Sequence, residues 1–359
     1  MTIVKNAHAD TRTFRAAAGF RMPDLTGTSL APETFTVTYY DTMDHRLARH
    51  HIVLCRRVEG GDTRWELALY GHPLQPLMRC ADRSLRPPSS FHDALYIHLH
   101  GHELTAMAKF RTHRMGTQVF DGDRLLATLM LDRVAQLDGR RVVRRFAELT
   151  LAPMETDESA LNRIEGLLRA AGAIDGRECP TICEVIGLDR ISQRPAVSPT
   201  AATVDHLKAY FATELETILT HDPGTRLGFD PEDLHQMRVA SRRLRAALRA
   251  AKPMLVAEWA DELQVDLSWL GDVLGTARDL DVLRENLNVD SATLDPPERH
   301  AFEKLTAPLE GERAEVRAVM IEALKSNRYL QLLDRLRSAA DAPQVVGAGL
   351  SLRDVAAGE

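Results

Sequence analysis

Positive charge is concentrated on one short segment of an otherwise acidic chain. The chain has 359 residues and a formal net charge of −6, yet the segment "DLHQMRVASRRLRAALRAAK", Asp233 to Lys252, holds six Lys/Arg residues, one His and a single Asp. One guanidinium group can donate two hydrogen bonds to a phosphate group, and an imidazole is readily protonated near neutral pH beside an anion. A basic patch on an acidic protein indicates a compact, local anion site.

A helix would collect most of these charges along one side. Pro231 suits the first turn of a helix, and Asp230 suits its N-cap. At about 100° per residue, the apolar residues Met237, Leu244 and Leu248 lie beside the charged stripe and not opposite it. Charges in this position lie at the margin of a packing groove, where a second helix can complete a pocket. The predicted stripe consists of His235, Arg238, Arg242, Arg245, Arg249 and Lys252.

A simpler interpretation is that these long side chains only lie along a solvated helix edge. The segment contains few acidic residues that could pair with the stripe, which disfavours salt bridges as its explanation.

The segments "LHQMRVASRRLRAAL" and "LGDVLGTARDLDVL" together resemble the CHAD family, the conserved histidine α-helical domain. The resemblance covers Val204 to about Ala339, and it implies a helical domain of two bundled halves whose basic surface binds inorganic polyphosphate. Family members usually carry a second His-and-Arg helix downstream, which this sequence does not show before Glu359. We therefore expect only the first bundle, and completion by a second copy of the chain stays open. The residues that match the two motifs are His235, Arg238, Arg242, Arg243, Arg245, Arg278, Asp279 and Asp281.

The N-terminal segments "YYDTMDHRLARHHIVLCRRVEGGDTRWELAL", "LLATLMLDRV" and "RRFAELTL" resemble the CYTH family of triphosphate tunnel metalloenzymes, up to about residue 185. The resemblance implies an antiparallel β-barrel whose lumen holds a triphosphate. It also implies Lys and Arg residues that bind the phosphates, and glutamates that hold Mg²⁺ or Mn²⁺ to polarise the bond that water attacks. The candidate tunnel ligands for phosphate are Arg57, Lys109, Arg111 and Arg114.

The carboxylates of this region depart from the family pattern. The E-x-E-x-K motif of the first strand aligns with Ala9, Thr11 and Thr13, and a later E-x-E aligns with Glu148 and Thr150. Glu148 is therefore the one glutamate retained, and it is the candidate metal ligand. Mg²⁺ binds through several oxygen ligands, so we expect a degenerate barrel with little or no hydrolysis. Mg²⁺ or Mn²⁺ is needed only if the barrel is active, and polyphosphate binding requires no cofactor.

Strand-like and helix-like segments divide the chain into two parts, and we predict an α+β protein of two domains. An antiparallel β-barrel of the triphosphate tunnel type, with helices, is expected at residues 1–189, followed by an all-α helical bundle at 203–342. Residues 190–202 are predicted to be a linker and residues 343–359 a flexible tail. The helices predicted for the bundle are Val204–Leu219, Pro231–Leu255, Ala257–Leu287 and Pro297–Ala339, with "HDPGTRLGFDP" as a loop. In the barrel, one predicted helix lies in "SSFHDALYIHLHGHEL" and another in "DESALNRIEGLLRAAGA", with Asp157 at its start and Gly172 near its end. The segment "HIVLCRRVEGGDTRWELALYG" is predicted to form two strands joined by a turn at Gly60-Gly61-Asp62.

Two groups of potential metal ligands have a simpler interpretation. Cys179 and Cys183 frame "CPTIC" without further Cys or His at zinc spacing, so reduced thiols are favoured. His98, His100 and His102 would share a face only on a strand, and the predicted helix makes solvated histidines the better interpretation.

The leading functional hypothesis is non-catalytic binding of inorganic polyphosphate or another phosphate polyanion. The alternatives are a metal-dependent inorganic triphosphatase and a scaffold that captures an acidic protein partner. The negative net charge disfavours nucleic acid as a partner. The sequence has no signal-peptide core and no long apolar run, so we expect a cytoplasmic protein that does not contact a membrane.

Overall fold

A computed structural model describes residues 11–346, apart from 18, 26, 70–74, 155–156, 177–183, 186–196, 199 and 292–293. The chain forms two compact units, one of residues 1–92 and 98–193 and the other of residues 93–97 and 194–359. Most of the predicted linker, the Cys179–Cys183 segment and most of the predicted tail lie outside the described residues. The described helices include none that is both long and apolar enough to cross a membrane.

The first unit contains one large antiparallel sheet. Its strands pair in the order β10-β1-β9-β8-β7-β3-β4-β5-β6, and β2 pairs with β7. The described ladders form an open path from β10 to β6, so the predicted closure into a barrel is not seen in the strand pairing. The strands are β1 (Arg12–Ala16), β2 (Gly27–Ser29), β3 (Glu33–Asp41), β4 (Ile52–Glu59), β5 (Asp62–Leu69), β6 (Gln75–Ala81), β7 (Thr105–Asp121), β8 (Arg124–Asp138), β9 (Arg141–Pro153) and β10 (Ala173–Asp175).

The hairpin between β4 and β5 forms where the sequence predicts it. Gly60 and Gly61 both have positive φ angles, 56° and 91°. Two consecutive residues with positive φ characterise the type I′ turn, whose twist matches that of the flanking strands. The hairpin fixes the register that pairs Cys55 with Glu66 and Arg57 with Arg64.

Helix α4 (Glu158–Ala170) covers part of one face of the sheet. The Asp157 side chain caps the helix by accepting a hydrogen bond from the backbone N–H of Ala160, as predicted. Gly172 follows the helix with φ 102°. The shared core contains Phe14, Leu149 and Leu151 from the sheet and Leu161, Ile164 and Leu168 from α4.

The described residues before 177 also form three short helices: α1 (Arg46–Arg49), α2 (Ser89–Ala94) and α3 (Tyr96–Leu99). Residues 93–97, from the end of α2 to the start of α3, belong to the second unit. The single helix predicted over Ser89–Leu104 is wrong, because the segment forms α2 and α3 and then leaves the helical conformation. His100 and Gly101 have φ angles of 37° and 82°, which an α-helix cannot contain. His98 is buried, at 2% exposed.

The described residues of the second unit after 196 form five long helices and one short 3₁₀ turn. The predicted change from a sheet to a helical bundle along the chain is confirmed. The helices are α5 (Thr203–Leu227), α6 (Pro231–Ala250), α7 (Ala257–Ser291), α8 (Pro296–Lys325) and α9 (Asn327–Asp341), with the 3₁₀ turn at Lys252–Met254.

Helix boundaries in the bundle differ from the prediction at three places. Helix α5 continues through Pro223 and ends only before Gly228, so the predicted loop is mostly helical. Helix α6 ends at Ala250, and the following turn carries Lys252 away from the helical stripe. Ser326 divides the predicted last helix, because it adopts an extended conformation and caps α9 by accepting from the backbone N–H of Tyr329.

A buried polar network explains why α5 continues past Pro223. Arg226 Nε donates to Asp222 at 2.5 Å, one helical turn away, and Arg226 Nη2 donates to the carbonyl of Leu324 at 2.8 Å. The hydroxyl of Tyr329 donates to Asp222 at 3.0 Å. Burial of a charge is costly unless it is paired and hydrogen-bonded, so these partners hold the last turn of α5 against α8 and α9.

Candidate functional site

A cleft of about 380 Å³ lies between α6 and α7. Each helix supplies one side of the cleft, which confirms that the basic stripe of α6 lies beside its packing surface. Met237, Leu244 and Leu248 on that surface are buried in the bundle core. The cleft is lined by His235, Arg238, Val239, Arg242, Arg245, Gly271, Asp272, Gly275, Thr276 and Asp279.

Two glycines one helical turn apart allow the arginines to lie close to α7. A Cβ atom on Gly271 would be 3.2 Å from the Arg245 guanidinium carbon, and one on Gly275 would be 3.7 Å from Arg238 Nε. The helices are also joined at Ser241, whose buried hydroxyl donates to the Leu267 carbonyl at 3.2 Å. The "GDVLG" segment of the second CHAD-like motif thus forms the base of the cleft.

The three arginines of the cleft differ in their partners. Arg242 is exposed, and among the described residues it has no ion pair or hydrogen bond. Arg245 makes one long hydrogen bond, 3.5 Å to Ser268 Oγ, while its Nε atom is buried without an acceptor. Arg238 forms an ion pair with Asp279 at 3.3 Å, and both side chains are largely exposed to solvent. Arg242 and Arg245 therefore retain N–H groups that could donate hydrogen bonds to an anion.

The other predicted members of the basic site do not line this cleft. Lys252 forms an ion pair with Asp261 at 3.0 Å, and Arg243 lies 3.6 Å from the buried Glu214 on α5. Arg249 is exposed further along α6. Arg278 is half-buried, with a buried Nη1 atom that has no described hydrogen-bond partner. The sequence did not indicate Asp279, Asp261 and Glu214 as partners, because they belong to neighbouring helices.

A second cavity, of about 230 Å³, lies on the face of the sheet opposite α4. Most of its apolar lining comes from β3 and β4 and includes Phe35, Val37 and Val53, and β8 adds Val134. The candidate tunnel residues Arg57, Arg114 and Glu148 line it, together with Cys55 and Ala68. Its other charged residues, which were not predicted from the sequence, are Glu66, Arg79 and Asp132.

The charged groups of this sheet cavity neutralise one another. Arg114 donates two hydrogen bonds of 2.7 Å to Asp132, its cross-strand neighbour. Arg79 lies 3.3 Å from Glu66, which Arg64 also contacts at 2.6 Å. Three arginines and three carboxylates line the cavity, so its formal charge is zero.

Arg57 is held by both an ion pair and an aromatic ring. Its guanidinium lies 3.4 Å from the centre of the Phe35 ring and 3.1 Å from Glu59. Burial lowers the pKa of Arg57, while Glu59 opposes that shift. The hydrogen bonds to Asp132 raise the pKa of Arg114, and burial raises the pKa of the Cys55 thiol. Cys55 is therefore a neutral packing residue.

Lys109 and Arg111 are not brought to the sheet cavity, which corrects their assignment as tunnel ligands. Successive side chains of a strand point to opposite faces, and β7 places Thr112 and Arg114 in the cavity. Lys109 and Arg111 consequently lie on the other face, where both are exposed. Lys109 and Arg111 stand at odd positions of β7 and Arg114 at an even one, so the three side chains cannot share a face.

The carboxylates of the sheet cavity do not suit a divalent metal. Glu66 and Asp132 already accept hydrogen bonds from arginines, whereas Mg²⁺ and Mn²⁺ require free oxygen ligands. The described part of the chain contains no cluster of three or more His, Cys, Asp or Glu side chains that could hold a metal ion. The set of residues therefore does not fit the metal that the CYTH resemblance implies.

Comparison with protein families identifies the helical region. Residues 209–358 match the family described as the CHAD domain. This part of the chain is a CHAD domain. The two motifs that indicated the family face each other across the α6–α7 cleft, so the CHAD domain carries this cleft within its matched range.

Two curated relatives match over most of the chain. They are the uncharacterized proteins Rv2226 and MT2285 from two strains of Mycobacterium tuberculosis, each 27% identical over 326 residues. The match covers 83% of this chain and 62% of each relative. The chain therefore spans less than two thirds of the length of the relatives that it matches.

Several solved structures resemble part of the chain. A putative adenylate cyclase from Bacillus halodurans is 16% identical and covers 47% of this chain and 80% of its own. A putative adenylyl cyclase from Hippeastrum, described as having a dominant triphosphatase activity, is 15% identical and covers 45% and 87%. Both have a TM-score of 0.29. These likenesses assign no activity to this chain, and its CYTH-like interpretation depends on the residues of the N-terminal unit.

Proposed function

We propose that the protein binds inorganic polyphosphate, or another phosphate polyanion, in the cleft between α6 and α7 of its CHAD domain. The observation that carries the proposal is the position of Arg242 and Arg245, whose donors lack ionic partners among the described residues and line one cleft. Charge-assisted hydrogen bonds from such donors to phosphate oxygens are roughly twice as strong as neutral ones.

Binding needs no metal and no covalent step. Arg242 and Arg245 donate to successive phosphate groups, His235 adds a donor at the Pro231 end of the cleft, and Arg238 joins when its ion pair with Asp279 is displaced. Three arginines against two aspartates leave the cleft positive by one charge, with His235 counted as neutral. This excess favours an anion with several charges over a single small ion.

The sheet cavity is proposed to be inactive towards triphosphate, because each of its arginines already contacts a carboxylate, including Glu59 beside Arg57. The triphosphatase alternative requires a metal that Glu148 and its neighbours do not suit. The remaining alternative, capture of an acidic protein, predicts that polyphosphate competes only weakly for the cleft.

Calorimetric titration of long-chain polyphosphate into the protein tests the proposal. Wild type is compared with R242Q/R245Q and with R249Q/K252Q, a control that removes two charges from the same basic segment but outside the cleft. We expect R242Q/R245Q to weaken binding by about tenfold or more, and the control to change it far less. Loss of two phosphate contacts should also reduce the slope of log K against log salt by about 1.4.

Equal losses in the two double variants would contradict a cleft-specific site and support diffuse attraction along α6. Unchanged binding in R242Q/R245Q would overturn the proposal. Release of phosphate from tripolyphosphate in the presence of Mg²⁺ or Mn²⁺, abolished by E148A, would instead support the triphosphatase alternative.

A further inference from the structure

The face of the sheet opposite the cavity carries a group of basic residues, and no acidic residue in its described cross-strand rows, in the part that α4 does not cover. We call this surface, formed by Lys109, Arg111, His113, Arg133 and Arg145, the basic sheet face. Strand pairing arranges its residues in three rows. His113 lies opposite Arg133, Arg111 and Arg145 lie on either side of Ala135, and Lys109 lies opposite Leu137.

Carboxylates are missing from these rows within the described ladders. Following the rows onto β3 adds Thr34, Thr36 and Thr38, and following them onto β4 adds Arg56 and Val58. None of the paired positions is Asp or Glu. All five residues of the basic sheet face are exposed. Of these, only His113 has a described hydrogen bond, 3.1 Å between its Nδ1 and Thr34 Oγ1.

This charge pattern differs from that of an ordinary solvated surface, which mixes both signs. Neighbouring strands lie about 4.8 Å apart, and alternate residues on a strand about 6.8 Å apart. The charged groups therefore lie within roughly one to two Debye lengths of one another at physiological salt. Their mutual repulsion is relieved by an anion that contacts several of them at once.

The chemistry of the rows selects among polyanions. Guanidinium, ammonium and threonine hydroxyl groups are donors to phosphate oxygens. From β9 to β4 the rows contain no Phe, Tyr or Trp, and Trp65, the next position on β5, is buried, so they offer no exposed platform for stacking the bases of a single-stranded nucleic acid. A duplex presents its phosphates on a convex cylinder and would reach few positions of a sheet face, whereas a flexible chain of phosphates can follow the rows.

We propose that the basic sheet face is a second docking surface for linear inorganic polyphosphate, separate from the cleft. The ligand class is that of the proposed function, but the residues belong to the other unit. The two proposals can therefore fail independently. The proposal gives Lys109 and Arg111 a phosphate-binding role on the outer face of the sheet in place of the tunnel role expected from the sequence.

The experiment uses the full chain with the cleft variant R242Q/R245Q as background. Binding of fluorescently labelled long-chain polyphosphate is measured at two salt concentrations after addition of K109Q/R111Q. The matched control is R163Q/K304Q, which removes two exposed cations elsewhere. We expect the background to retain salt-sensitive binding, K109Q/R111Q to weaken that binding at least fivefold, and the control to leave it within about twofold. Thermal unfolding verifies that each variant is folded.

Each other outcome has a definite consequence. Complete loss of binding in R242Q/R245Q alone would overturn the second surface and leave the cleft intact. Full binding in R242Q/R245Q, lost on K109Q/R111Q, would overturn the cleft and support the sheet face. Equal effects of K109Q/R111Q and its control would reduce the face to general electrostatic attraction and overturn the inference. Displacement of polyphosphate by duplex DNA at equal phosphate concentration would contradict the stated partner.

Discussion

The cleft between α6 and α7 and the cavity of the sheet each contain three arginines, but the two sets differ in what they already bind. In the sheet cavity, Arg114 and Arg79 contact Asp132 and Glu66 of the same cavity. In the cleft, the one described ion pair joins Arg238 to Asp279. The comparison shows that the number of arginines does not define an anion site. The donors must also be free of carboxylates from neighbouring elements.

The two regions also differ in how burial affects the arginines. Arg57 in the cavity has a side chain 14% exposed and a pKa lowered by burial, so its ion pair with Glu59 compensates for lost hydration. Arg238 in the cleft is 43% exposed. An exposed ion pair is worth about 1 kcal/mol or less, and a multivalent anion can displace it. The cavity is thus built as a stable core, while the cleft can exchange partners.

Removing the carboxylates of the sheet cavity should have the largest effect, because it should make the cavity resemble the cleft. E66Q/D132N leaves the partly buried Arg79 and Arg114 without ionic partners, which should lower the free energy of unfolding by about 1–3 kcal/mol. The freed guanidiniums should then bind tripolyphosphate, because they converge on one cavity. In the R242Q/R245Q background, excess tripolyphosphate should raise Tm by about 3 °C.

The matched control for this prediction is E158Q/E165Q, which removes two carboxylates paired with Arg12 on the opposite face of the sheet. A Tm that responds equally in both variants would mean that net charge, and not the cavity, governs the response.

Substitution of the glycines at the base of the cleft gives a smaller effect. In G271A the new Cβ would be 3.2 Å from the Arg245 guanidinium, so this flexible side chain must move, whereas G275A makes an ordinary contact of 3.7 Å with Arg238. Both changes stabilise the helical conformation of α7 by about 1 kcal/mol. We expect G271A to weaken polyphosphate binding about threefold and G275A to leave it unchanged. Titration of both variants tests this, and a greater loss in G275A would contradict the arrangement.

Removing the ion-pair partner of Arg238 should have the smallest effect, and in the opposite direction. D279N frees Arg238 and makes the cleft more positive by one charge. Because an exposed pair contributes about 1 kcal/mol at most, polyphosphate affinity should increase by up to about fivefold at low salt and by less at high salt. Unchanged affinity at low salt would show that Arg238 does not contribute to binding.

The sequence predicted the elements that depend on local patterns. The β4–β5 hairpin follows from Gly60 and Gly61, and α4 follows from its cap at Asp157. The position of the basic stripe beside the core follows from the helical period of α6. These features depend on residues close together in the chain, which the sequence displays directly.

Features that depend on distant residues were missed. The helical continuation through Pro223 depends on contacts of Arg226 and Asp222 with Leu324 and Tyr329, about a hundred positions away. The pairing of Arg114 with Asp132 depends on the register of β7 and β8. The assignment of Lys109 and Arg111 to the same face as Arg114 is a different kind of error. The alternation of side chains along a strand shows from the sequence alone that they lie on the opposite face.

A crystal structure of the protein with bound tripolyphosphate tests the central claim most directly. The account predicts phosphate oxygens within hydrogen-bond distance of both Arg242 and Arg245 in the α6–α7 cleft, and an unchanged Arg114–Asp132 pair in the sheet. A tripolyphosphate held by Arg57 and Arg114 in the sheet cavity, with the cleft empty, would contradict it.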